Sequence, residues 1–236
     1  MIFEPLRIEI RLSTPVALPY SKQPHPLHFD ALLIALMAEG KVFQPDQNIY
    51  APGTGEVPLQ VHPGKSPVYC ASVGFSDQIH TDYYAITKKP PDFCEWEHII
   101  STSHKKIEFA PGGAGAGKFR AWKEESKLAI SKTIVFECIG DGEMIDTILH
   151  EKLRRIGFLR RAGMGNVCDI IVSESENPNA GLLTSDNRPA RNLPVVDWEG
   201  NPDWLKIHAA VRAPYWYPGN KELCWSPVSE KTIPGH

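Results

Sequence analysis

Two glycine-rich stretches carry cations at spacings that could grip a phosphate. The first is PGGAGAGKFRAWK, residues 111–123, in which Gly112 to Lys118 spells G-x-x-x-x-G-K. That is the body of a P-loop, whose backbone amides cradle phosphates while the lysine reaches toward them. A P-loop needs a Ser or Thr after the lysine to hold magnesium, and Phe119 stands there instead. No hydrophobic strand ending in Asp follows to supply a second metal ligand. Two other readings stay open. The stretch is a glycine hinge, or it is a nucleic-acid-gripping arm. In the arm reading, Gly112, Gly113, Gly115 and Gly117 let the backbone bend, and Lys118, Arg120 and Lys123 alternate with Phe119 and Trp122. Cations neutralise phosphates and aromatic faces stack on bases.

The second stretch is RRIGFLRRAGMGNV, residues 154–167. Gly163 and Gly165 permit unusual φ angles and leave no side chain in the way. Backbone N–H groups in such a loop can face a phosphate. Arg154, Arg155, Arg160 and Arg161 add charge and forked donors suited to phosphate. The plainer reading is a helix end followed by a tight turn with solvated arginines. Residues 152–161 carry five positive charges and no acid, although the formal net charge of the chain is −3. A small negative sum excludes a global basic field but not a local stripe.

Other chemistry is thinly signalled. The five cysteines are scattered with no C-x-x-C pair, which argues against a disulfide framework and for a reducing compartment. Cys94, His98 and His104 match no structural zinc spacing. His25, His28, His104, Tyr83, Tyr84 and Lys22 are of types that could cut RNA by metal-independent acid–base chemistry, but they form no distinctive arrangement. His28 reads best as a cap or packing residue at a helix start.

The elements that must position these groups follow from periodicity. Leu6, Ile8, Ile10 and Leu12 alternate with charged residues, predicting a half-buried strand ended by Thr14-Pro15. FDALLIALMAEG predicts a buried helix stopped by Gly40. PVYCASVGF, residues 67–75, reads as a second strand and KTIVFECIG, residues 132–140, as a third. IEFA is a possible short strand, and RAWKEESKLAI could form a short helix. Asp141 is a good N-cap for a helix whose apolar face is Ile145, Ile148, Leu149, Leu153 and Ile156, stopped by Gly157. VCDIIVS, residues 167–173, is the fourth strand. The order β-α-β-β-α-β is ferredoxin-like, as in the RNA-recognition fold. The expected class is therefore α+β. A domain over 1–175 carries an insertion at about 76–130, and a Pro- and Trp-rich extension over 176–236 packs back on it. In that extension Tyr215, Trp216, Tyr217 and Trp225 are either core or partner surface. The composition is globular, with 42% hydrophobic residues. The longest apolar run, ALLIALMA, is far short of the roughly 20 residues a membrane span needs. MIFEPLRIEI lacks a signal-peptide core, so a cytoplasmic protein is expected.

A helix, a basic glycine loop and then the final strand of such a fold resembles the RAMP superfamily of CRISPR-associated proteins. LRIEIRLSTPVALPY looks like the first strand and loop of that superfamily, and PLHFDALLIALMAEG like its first helix. FECIGDGEMIDTILHEKLRRIGFLRRAGMGNV resembles its strand–helix–glycine-loop block. Within the superfamily the chain is most similar to the small RAMP subunit of type IV CRISPR complexes, and APYWYPGNKELCWSP fits that group. The resemblance covers about residues 1–175 well and the tail loosely. It implies a CRISPR RNA-binding subunit that caps the 5′ handle of the guide. Its partners would be a repeating backbone subunit, a large subunit and target DNA within the complex. The implied RNA-binding set is Lys22, His28, Lys118, Arg120, Lys123, Arg154, Arg155, Arg160, Arg161, Gly163, Met164, Gly165 and Asn166. No cofactor, metal or catalysis is expected. A RAMP-type endoribonuclease is the alternative, and a ferredoxin-like small-ligand or interaction module is a third reading.

Overall fold

The computed structural model describes residues 2–19, 27–38, 57–76, 80–88, 122–157, 160–215 and 217–227. The described residues form two α-helices and mainly antiparallel strands, an α+β arrangement. Strand β1 spans Glu4–Pro19. Its even positions Leu6, Ile8, Ile10, Leu12 and Val16 are buried, while Arg7, Arg11 and Ser13 are exposed. This is the outcome the period-two pattern predicts. Helix α1, Phe29–Met37, buries Phe29, Leu33 and Ile34. Strands β2 (Val61–His62) and β3 (Val68–Tyr69) form a short antiparallel pair. Strands β4 (His80–Lys88) and β5 (Trp122–Gly140) follow. Helix α2 spans Gly142–Lys152 and strand β6 Val167–Glu174. The principal sheet has the order β4-β5-β1-β6.

Two compact units divide the chain. One comprises residues 1–81 and 129–236, the other residues 82–128. The smaller unit contains most of β4 and the first part of β5.

In the larger unit, β1 and β6 pair antiparallel, with Ile8 opposite Val172 and Ile10 opposite Ile170. These pairs form one wall of the core, and the two helices form the other. Helix α2 starts where the sequence reading puts it. The Asp141 carboxylate accepts the Met144 amide at 3.0 Å, satisfying one of the open donors of the first turn. Ile145 and Leu149 face inward from the helix, and Leu153 and Ile156 continue the same line after it ends. Helix α1 packs against α2, and Lys152 Nζ donates to the Leu36 carbonyl at 3.3 Å. From β5, Ile134, Phe136 and Cys138 enter this core, with Phe29 and Phe136 rings 5.0 Å apart.

A second core lies under the C-terminal residues. Strands β7 (Leu193–Pro194), β8 (Lys206–Ala210) and β9 (Lys221–Trp225) form a sheet of order β7-β9-β8. Leu182, Leu183, Leu193, Val211, Cys224 and Trp225 pack there with Val68 and Cys70, and Ile139 of β5 rests against them. Asn177 Nδ2 donates to Glu137 at 2.9 Å. Strand β5 therefore serves two cores, one on each face.

One buried polar network ties the C-terminal residues to α1. Arg191 is fully buried. Its guanidinium donates to the carbonyls of Tyr69, Ala71 and Val211, to the Tyr215 hydroxyl at 2.9 Å and to Asp30 at 3.4 Å. The Tyr215 hydroxyl donates to the Asp30 carboxylate at 2.9 Å. The His28 ring stacks on the Tyr215 ring at 3.7 Å. A buried ion pair survives only when its remaining hydrogen-bonding capacity is met, and here backbone carbonyls meet much of it.

Several sequence expectations are corrected. Strand β1 runs past Thr14-Pro15 to Pro19, with β6 beside it on one side and β5 on the other. The segment 122–130, a possible helix by composition, is strand, and β5 starts ten residues earlier than the hydrophobic run at 132 suggests. Its polar residues hide the strand from a hydrophobicity pattern, and pairing overrides a weak local preference. The strand expected over 67–75 is regular only at Val68–Tyr69. Beyond it, Ala71 and Phe75 bridge singly to Cys138 and Val135. The Ser72 hydroxyl accepts the Glu137 amide at 2.8 Å, where a ladder carbonyl would otherwise serve. Helix α2 ends at Lys152, before the expected stop at Gly157. Gly40 and IEFA lie outside the described residues.

Two outcomes follow for stability. Truncating Leu149 to Ala opens a cavity between α2 and the sheet and should cost ~2–5 kcal/mol in urea unfolding. Burial holds the Tyr215 phenol well above its ordinary value, with Asp30 adding and Arg191 opposing. Burial also pushes the Cys70 and Cys224 thiols up to about 11. Groups with raised folded-state values contribute fully below their unfolded values and lose that contribution as pH rises. Unfolding free energy should therefore decline above roughly pH 8.5 and fall faster above about pH 10, where unfolded thiols and then phenols ionise. Tyr215→Phe should flatten the slope above pH 10.

Candidate nucleic-acid interface

The site is built where α2 gives way to β6. After Lys152 the chain leaves the helix, and Leu153 and Ile156 remain anchored in the core. That anchoring turns Arg154 and Arg155 outward, and both are exposed. Arg155 bridges to Asn166, the Val167 amide donates to the Arg154 carbonyl at 3.0 Å, and the Ile156 amide donates to the Gly165 carbonyl at 2.9 Å. The two sides of the loop are thus stitched together at its base. At its far end Arg160–Ala162 form a single 3-10 turn with Arg160 and Arg161 exposed. The Arg155 guanidinium donates to the Arg160 carbonyl at 2.9 Å, and Arg154 donates to the His150 carbonyl at 3.2 Å. Among the described residues, none of these four arginines forms an ion pair. Their charge is directed to solvent and available to an anion.

The glycines divide their roles. Gly165 has φ +68°, and a Cβ there would stand 1.9 Å from the Ile156 carbonyl oxygen. Only glycine lets the returning chain lie that close to the departing one. Gly163 has φ +86°, and no described atom lies within 4 Å of the point a Cβ would occupy. It supplies backbone conformation on an open side. Between them Met164 is half-buried.

The turn is fastened to β1 from outside. The Gly165 amide donates to the Pro15 carbonyl and the Ser13 amide to the Asn166 carbonyl, each at 2.9 Å. The Asn166 amide donates to Thr14 Oγ1 at 2.9 Å, and Thr14 Oγ1 donates to the Gly163 carbonyl at 2.8 Å. Asn166 Nδ2 also donates to the Gly163 carbonyl, at 3.2 Å. These bonds carry the contact between β1 and the turn as far as Pro15.

Of the residues singled out from sequence, Arg154, Arg155, Arg160, Arg161, Gly163, Met164, Gly165 and Asn166 come together in this one loop. Lys123 falls in β5. Lys22, Lys118, Arg120 and the whole G-x-x-x-x-G-K stretch lie outside the described residues, as do Cys94, His98, His25, His104 and Trp216. His28 is buried and stacked on Tyr215 rather than offered at the surface, and Trp225 is buried while Tyr217 is exposed. Sequence reasoning missed Thr14, which it treated as a strand end. It also missed the Asp30–Arg191–Tyr215 network, whose members are far apart in the chain and individually ordinary. Among the described residues no group of three or more His, Cys, Asp and Glu side chains could hold a metal ion. None of the described helices is long and apolar enough to cross a membrane.

The described residues thus define an α+β chain with a basic, glycine-hinged loop before the last strand of its principal sheet. The family model for CRISPR type IV associated protein Csf3 matches residues 4–228, nearly the full length, and the chain belongs to that family. No curated protein matches the chain.

The two glycines should respond differently to substitution. Gly163→Ala meets only the backbone penalty, ~1–2 kcal/mol. Gly165→Ala adds a steric collision with the Ile156 carbonyl and should lose at least ~2 kcal/mol more than Gly163→Ala. Urea midpoints of the two variants check this, and equal losses would contradict the assigned roles.

Proposed function

We propose that this protein is the RNA-binding subunit that caps the 5′ handle of the guide RNA in a type IV CRISPR effector complex. The observation that carries the reading is the loop of Arg154, Arg155, Arg160 and Arg161, exposed and without ion pairs among the described residues, around a turn pinned to β1. Cations not held by a carboxylate gain most from phosphates, because counterions are released on binding and no ion pair is broken. Arginine suits the task through its forked donors. The sheet order β4-β5-β1-β6, with a helix after β1 and another after β5, supports a ferredoxin-like RAMP core. Lys22, Lys118, Arg120 and Lys123 would extend the RNA path from the glycine-rich arm.

The role is one of binding and positioning, without catalysis, metal or cofactor. In the complex the subunit would contact the repeating backbone subunit and the large subunit, and it would assist recognition of DNA flanking the target. A cytoplasmic location follows from that role. For the alternative of an acid–base ribonuclease, the His28 ring is buried against Tyr215 and is not offered to a substrate.

Titration of labelled CRISPR-repeat RNA at two salt concentrations tests the reading, with the subunit alone and with the backbone subunit present. Affinity should weaken steeply with salt. Arg160→Ala/Arg161→Ala should weaken binding and reduce the log–log salt slope by about 1.4, roughly 0.7 for each lost contact to a single strand. Affinity and slope equal to wild type in both formats would overturn it.

A further inference from the structure

We infer that Thr14 is a positioning residue for RNA binding, its hydroxyl setting the shape of the turn that the arginines flank. The inference rests on the reading of that loop as an RNA seat. In most four-residue turns the carbonyl of the first residue accepts the amide of the fourth. Over Gly163–Asn166 both groups go instead to one oxygen on another strand. Thr14 Oγ1 donates to the Gly163 carbonyl at 2.8 Å and accepts the Asn166 amide at 2.9 Å. The hydroxyl is wedged where the turn's own hydrogen bond would close, and it props the turn open.

Delivery of that hydroxyl depends on the β1–β6 register. Arg11 pairs with Asp169 and Leu12 with Val167, so the register slips by one residue at Cys168. The slip sets Ser13 opposite Asn166, and the Ser13 amide donates to the Asn166 carbonyl at 2.9 Å, so Thr14 is the next residue on and its hydroxyl reaches both ends of the turn. Pro15, which has no amide to offer, then accepts Gly165 through its carbonyl at 2.9 Å. A hydroxyl is needed at position 14 because one atom must both donate and accept. Serine meets that requirement and valine, of nearly the same shape as threonine, does not. Without the hydroxyl the Asn166 amide loses its acceptor, and the Gly163 carbonyl, which keeps only the Asn166 Nδ2 donor, is left to take it and close the turn. That would tighten the turn and shift Met164 and the preceding arginines from where RNA meets them.

The test compares Thr14→Val with Thr14→Ser, measuring repeat-RNA affinity well below the unfolding temperature, alone and with the backbone subunit present. Hydrogen exchange at Asn166 is followed in the RNA-free protein. Thr14→Val should bind RNA about 5–30-fold more weakly, the range expected for losing the net contribution of one or two hydrogen bonds. It should also lose protection at Asn166. Thr14→Ser should stay within about twofold of wild type and keep that protection. A purely structural role would lower the unfolding temperature of Thr14→Val without changing the affinity of the folded protein. Unchanged affinity in Thr14→Val, or equal losses in both variants, overturns the inference. If Thr14→Val does not fold, Thr14→Ser decides alone, since a loss of affinity or of Asn166 protection there overturns it equally. Should Arg160→Ala/Arg161→Ala bind as wild type does, it is the RNA reading that fails, whatever Thr14 does.

Discussion

The close passage of Gly165 against the carbonyl of Ile156 is the constraint on which the basic loop depends. The chain leaves α2 along one line and must return into β6 almost on top of it. A side chain of any size at position 165 would force the two lines apart. With the lines together, the amide of Ile156 and the carbonyl of Gly165 satisfy each other, and β6 enters the sheet beside β1. The same closeness turns Arg154 and Arg155 away from the core. A fold-level requirement for backbone pairing thus produces an exposed group of cations.

The C-terminal residues contribute rigidity at a distance from that loop. They cover the second face of β5 and place a buried guanidinium among three backbone carbonyls, a phenol and a carboxylate. Such a network is not a cheap source of stability, since each charge loses its water. It fixes Arg191 and Tyr215 against Asp30 of α1 through several hydrogen bonds at once. Strand β5 contributes to both cores, and β1 lies beside it in the sheet.

Much of this was legible in the sequence, and the reasons differ by element. The alternation over Leu6–Leu12 and the Asp141-capped helix were readable because one face of each is buried and the other wet. The glycine loop was readable because glycine and arginine side by side serve few purposes other than approach and charge. The first half of β5 was not readable, since its residues are polar and its pairing with β4 is non-local. Thr14 was invisible because threonine in a strand is ordinary, and its role arises only when β6 arrives opposite it. The Asp30–Arg191–Tyr215 network was invisible for the same reason, each member being separated from the others by loops or whole elements. The family match, residues 4–228, takes in most of the C-terminal residues together with the sheet.

The measurement that bears most directly on the central claim is photocrosslinking of guide RNA in the assembled complex, with adducts mapped by mass spectrometry. The account predicts adducts from 5′-handle nucleotides on peptides containing Arg160 to Asn166. Handle adducts confined to other subunits, or to surfaces of this one remote from that loop, would contradict it.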